Sequence, residues 1–102
     1  MNMKQQIKLA LEAAIAHLDG EHPYHDAPSV RASAAAKRCL RALQNAPLTA
    51  ATVAGIGKVL MEHPCRWGGG HLTKINEMCQ RAWHNLKYGT DEPLTGRLGP
   101  YR

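Results

Sequence analysis

Apolar residues return at three- and four-residue intervals through most of the chain, the pattern of helices with one buried face. Ile7, Leu11, Ala14, Ile15 and Leu18 form the first stripe and predict a helix over about 3–19. Gly20 is its expected left-handed stop. Leu9, Ala13 and Ala16 fall on the opposite side. A second apolar face predicts burial on two sides, or a homodimer contact through these three residues.

Ala32, Ala35, Ala36, Cys39, Leu40 and Leu43 share one face of a second helix, over about 28–44. Arg31, Lys37, Arg38 and Arg41 share roughly the opposite arc, the cleanest amphipathic split in the chain. Asp26 or Ala27 is the expected cap, and Pro28 falls in the first turn, where a missing N–H costs nothing. Asn45 is the expected left-handed end, and Pro47 prevents continuation.

The third stripe is Val53, Ile56, Val59 and Leu60, over 50–61, with Thr49 as N-cap. Leu48 and Val53 have the spacing of a hydrophobic staple. Gly55 and Gly57 interrupt this helix, each at a cost of about 1 kcal/mol relative to Ala. A close helix approach is the expected reason, a local kink the alternative. The fourth stripe is Leu72, Ile75, Met78, Cys79, Ala82, Trp83 and Leu86, over about 72–87, with Lys74 and Arg81 outside. Lys87 in its last turn suits the helix dipole, and Gly89 ends it.

Two echoes organise these elements. Glu21-His22-Pro23 returns as Glu62-His63-Pro64, and Cys39-x-Arg41-Ala42-x-x-Asn45 returns as Cys79-x-Arg81-Ala82-x-x-Asn85 at nearly the same interval. They imply two copies of one unit: helix, EHP stop, loop, helix. The expected fold is all-α: a small antiparallel four-helix domain over 1–89, built from two related helical hairpins, about 3–45 and 48–88. Residues 90–102 carry two Pro and two Gly without periodicity and read as an extended or disordered tail, which Leu94, Leu98 and Tyr101 can dock. The repeat puts Cys39 and Cys79 on core faces and Arg41 and Arg81 on outer faces. Parallel first and third helices bring both EHP turns, with Tyr24, Trp67, Cys65, His22, His25, His63 and His71, to one end.

Composition sharpens this picture in three ways. The 102 residues suit one domain, and the core lacks phenylalanine, so Ala, Leu, Ile, Val and Met must fill it. Net charge is +5, and no acidic residue lies between Ala27 and Met61. That unbalanced field suits an anionic partner, either nucleic acid or an acidic protein surface, against the plainer reading of a solvated basic face. Three cysteines, a polar start and no long apolar run imply a cytoplasmic protein with reduced thiols and no membrane span.

Candidate chemistry is thin. His22, His25, His63, Cys65 and His71 offer ligands for zinc, but their spacing matches no standard finger, and the plainer reading is helix-capping or solvated histidines. Gly55-Ile56-Gly57-Lys58 lacks the upstream glycine of a phosphate loop, Thr52 standing there, and Val59 replaces its Ser/Thr. Cys65 near His63 or His71 lacks the setting of a cysteine nucleophile. The chain therefore reads as a non-enzymatic binding protein without a cofactor. Arg31, Lys37, Arg38 and Arg41 supply the field, Arg66 and Trp67 the anchor, and Gly68 to Gly70 the adaptability. Its partner is an acidic protein surface or a nucleoprotein complex, with non-specific nucleic-acid binding as the alternative and a zinc-stabilised module as the lesser one. In size and style the chain resembles small helical proteins of phages and prophages, among which anti-CRISPR proteins inhibit host defence complexes. That resemblance transfers no residue role.

Overall fold

A computed structural model describes residues 2–21, 26–66 and 68–95. These residues form helices α1 (Met3–Ala16), α2 (Ala27–Asn45), α3 (Ala50–Met61) and α4 (Gly69–Tyr88), with no strand among them. Each helix packs against its two cyclic neighbours, and α1 and α3, like α2 and α4, stand across a diagonal. The result is the expected all-α four-helix domain, with the contact between α3 and α4 the most extensive.

The helix starts follow from local chemistry. Asn2 accepts a hydrogen bond from the Gln5 amide at 2.8 Å, and Gln5 Oε1 accepts one from the Asn2 amide at 3.1 Å. This capping box opens α1 and satisfies two amides that lack helical partners. Asp26 caps α2 through the Ser29 amide at 3.0 Å, and Thr49 caps α3 through the Thr52 amide at 3.1 Å. Helix α3 has the bounds its stripe predicts.

Two helix ends differ from expectation. Gly20 does not stop α1 in a left-handed conformation, because Gly89, at φ 70°, is the only described residue with positive φ. The chain instead continues as a π turn, His17–Glu21. That turn buries Leu18 in the core and delivers Asp19 to α2. Asn45 likewise takes no left-handed cap. Helix α2 includes it and leaves through Ala46 at φ −130°, ψ 153°. Ala46 precedes Pro47, whose ring drives the preceding residue out of the helical region.

The core joins Ile7, Leu11, Leu18, Leu43, Val53, Leu60, Leu72 and Ile75 across all four helices. Ala14, Ala32, Ala36 and Ala82 fill the gaps between them. Gly57 is one reason α3 and α4 approach so closely: a Cβ there would stand 2.7 Å from Asn76 Oδ1 and 3.5 Å from Cys79 Cβ. Gly55, two residues earlier, faces open space. The expected helix approach thus explains one glycine of the pair and leaves the other without a packing role.

Gly68 fixes one end of the bundle. A Cβ on it would collide with Leu18 Cδ2 and stand 3.0 Å from Cys65 Sγ. The π turn after α1 therefore presses on the α3–α4 connection, which puts that connection at the pole where α1 ends. Gly69 and Gly70 are not loop residues but the first turn of α4, in open space.

The chain after α4 is docked as far as it is described. Leu94 is buried and belongs to the core cluster. Asn85, itself buried, accepts from the Glu92 amide at 2.9 Å and from Thr90 Oγ1 at 2.7 Å, and donates to the Glu92 carbonyl at 2.8 Å. Leu98 and Tyr101 lie outside the described residues.

Candidate interaction surface

The outer face of α2 exists because its two arcs differ so sharply. Ser29, Ala32, Ser33, Ala35, Ala36, Cys39 and Leu43 are buried. Arg31, Lys37, Arg38 and Arg41 are all exposed. Their heads stand in water, where a cation pays no burial penalty, so the fold tolerates them without partners.

Lys37 is the exception to the expected free strip. Its Nζ lies 2.9 Å from Asp19 Oδ2, and Asp19 Oδ1 accepts from Ser33 Oγ at 2.5 Å. Both charged groups are nearly half exposed, so the pair contributes little stability, about 0–1 kcal/mol. Its local effect is to neutralise Lys37 and pin the π turn to α2. No carboxylate among the described residues pairs with Arg31, Arg38 or Arg41. From Arg31 to Arg41 the helix rises about 15 Å. Between and beside the guanidinium groups stand Ala27, Val30, Ala34 and Ala42, all exposed, with Val30 at 58%.

The pole where α1 meets the α3–α4 connection holds a second group of side chains. The His17 and His71 rings lie 4.6 Å apart at a 31° tilt. His63 donates its Nδ1–H to the Val59 carbonyl at 2.8 Å, which ties it to the last turn of α3 as a helix-end cap. Cys65 is half-buried beside Gly68, and Arg66 is exposed. Trp67, His22, His25 and Tyr24 lie outside the described residues. No group of three or more His, Cys, Asp or Glu among the described residues is placed to hold a metal ion.

The other two cysteines are core residues. Burial raises the Cys39 thiol pKa, against the lowering effect of Arg38. Burial, with a smaller contribution from Cys39, pushes Cys79 up to about 12. Both stay protonated at neutral pH and are poor nucleophiles. They stand on α2 and α4, which have no Cα pair within 8 Å, beyond the reach of a disulfide.

One expected outer-face residue is not outside. Arg81 is only 8% exposed, and its Nη1 donates to the Pro93 carbonyl at 3.2 Å. The segment after α4 folds over it, so Arg41 and Arg81 share a sequence echo but not an environment. Asn45 and Asn85 diverge in the same way, one exposed at the end of α2, the other buried as a bracket.

Leu9, Ala13 and Ala16 are also not buried on a second side. Leu9 is 50% exposed at the edge of a shallow groove between α1 and α4, lined by Gln6, Ala10, Lys74, Met78 and Thr95. No other described residue covers the Leu9, Ala13 and Ala16 face. No helix among the described residues is long and apolar enough to cross a membrane.

Sequence reasoning missed the Asp19 clamp, the His17–His71 stack and the role of Asn85. The first two join residues from different elements, and no spacing rule signals them. Asn85 had a signal, being a polar residue next to the buried stripe of α4. Comparison with protein-family models, curated proteins and solved structures finds no match. The surface itself therefore carries the functional argument.

Proposed function

We propose that this is a non-enzymatic binding protein that docks on an anionic macromolecular surface through the outer face of α2. The observation that supports it is the set of three exposed guanidinium groups, Arg31, Arg38 and Arg41, without a carboxylate partner among the described residues. Such a set raises the encounter rate with an acidic partner and rejects basic ones. Arg66 at the pole is a further exposed cation, and Trp67 beside it in sequence is the aromatic anchor of the same reading. Trp and Arg are the residue types that most often dominate interface energy. A partner of this kind is an acidic protein or nucleoprotein, and occupying its surface is how a small inhibitor of a larger complex acts.

The test is retention on immobilised heparin as a generic polyanion. The triple variant Arg31→Glu, Arg38→Glu, Arg41→Glu should elute at much lower salt than the parent, with melting nearly unchanged. The control for net charge is an equal triple reversal off α2: Lys8→Glu on α1, Lys58→Glu on α3 and Lys74→Glu on α4. Co-elution of the triple variant with that control would remove α2 from the reading.

A further inference from the structure

The α2 face is not a uniform cationic strip, and its pattern narrows the partner. Ala34 stands at its centre. Val30, Arg31, Lys37 and Arg38 surround it at helical neighbour positions, with Ala27 and Arg41 two turns away on either side. The middle of the patch is therefore low and apolar, and the cations form its rim. Val30 is one of the few large apolar side chains the fold leaves exposed, although an acceptor-rich phosphate surface has no use for it.

Nucleic-acid grooves are read by side chains that carry amide, hydroxyl or guanidinium groups toward base edges. On this face only the three arginines have such groups: its centre offers Val30 and alanines, and Gln44 and Asn45 come at its far end. Alanines have a different use. They let a second helix approach to the short end of the interaxial range, about 8 Å. Arg31 and Arg38 are seven residues apart, two turns, and Arg41 follows one turn later. A helix alongside presents its own residues at the same rise, so carboxylates at matching seven- and three-residue steps meet all three guanidinium groups.

Resting on the proposed function, we infer that the partner of α2 is an acidic amphipathic helix of another protein. It places one apolar side chain over Val30 and Ala34 and carboxylates against Arg31, Arg38 and Arg41. The apolar contact provides the desolvated centre, and the ion pairs set orientation and register.

The experiment uses the full chain and three labelled probes. One is a helical peptide with Glu at the matching seven- and three-residue steps and Leu on the same face. The second has the same composition with the Glu positions scrambled, and the third is a duplex DNA. The spaced peptide should bind at least tenfold more tightly than the scrambled one. Ala34→Trp and, separately, Val30→Ser should each weaken it several-fold. Both positions are exposed, and circular dichroism checks that each variant is folded. Equal binding of the two peptides overturns the inference, as does an Ala34→Trp variant that binds the spaced peptide like the parent. So does DNA binding tighter than peptide binding. Each of these outcomes leaves the anionic-surface reading intact, because only the heparin result bears on that.

Discussion

Gly55 and Gly57 offer the sharpest check on the packing. They sit in the same helix, in the same right-handed conformation, two residues apart. Replacing either by Ala gains the same intrinsic helix stabilisation, about 1 kcal/mol. What differs is the space a Cβ would enter. At Gly55 it meets nothing within 4 Å, so Gly55→Ala should be stabilising by about 1 kcal/mol. At Gly57 it meets Asn76 Oδ1 at 2.7 Å and Cys79 Cβ at 3.5 Å. Asn76 Oδ1 is the far end of a half-buried side chain that can swing away, and Cys79 Cβ stands at an ordinary contact distance, so the overpacking falls at the low end of its range, about 1 kcal/mol. Gly57→Ala should therefore lose its propensity gain and end about 1 kcal/mol below Gly55→Ala. In a domain of this size that is a difference of roughly 5 °C in Tm. Thermal melts followed by circular dichroism, with urea unfolding for the free energies, read it directly. Equal gains at both positions would mean that nothing on α4 resists a Cβ at Gly57. A loss at Gly55 would mean that its face is covered.

Three further outcomes follow from the same contacts. Because burial raises the Cys79 pKa from 9.0 to about 12, the folded state keeps a proton that the unfolded state releases. Stability should be full below pH 9 and fall by up to about 1.4 kcal/mol per pH unit above it, and urea titrations should show a shallower loss in Cys79→Ala. Asn85→Ala removes three hydrogen bonds to residues 90 and 92. It should cost about 3 kcal/mol, with limited proteolysis showing early cleavage just after α4. Asp19→Ala frees Lys37 and also strips the buried Ser33 hydroxyl of its acceptor, so it should cost about 1–3 kcal/mol and raise the salt needed for heparin elution.

What the chain reveals in one dimension is what periodicity encodes. The α3 bounds, the two arcs of α2 and most of the core follow from stripes, because burial of one helical face is a local pattern repeated. The Thr49 cap and the Gly89 end are equally local. The failures share a different cause. Gly20 can end a helix, but whether it does depends on Leu18 and Asp19 finding partners on other elements. Arg81 has the outward register of Arg41, yet residues 92–94 cover it, and that segment has no periodicity to announce its path. Lys37 belongs to the basic arc by its angle on the helix, and only the fold brings Asp19 beside it. Of the candidate site, the three arginines were legible as a face. The neutralisation of the fourth cation was not.

The most direct measurement of the central claim is a backbone amide shift map of the labelled protein during titration with the spaced acidic peptide. The account predicts that the largest changes fall between Ala27 and Asn45, strongest around Ala34, and vanish in the triple arginine variant. Changes centred on the α1–α4 groove near Leu9, with α2 unperturbed, would contradict it.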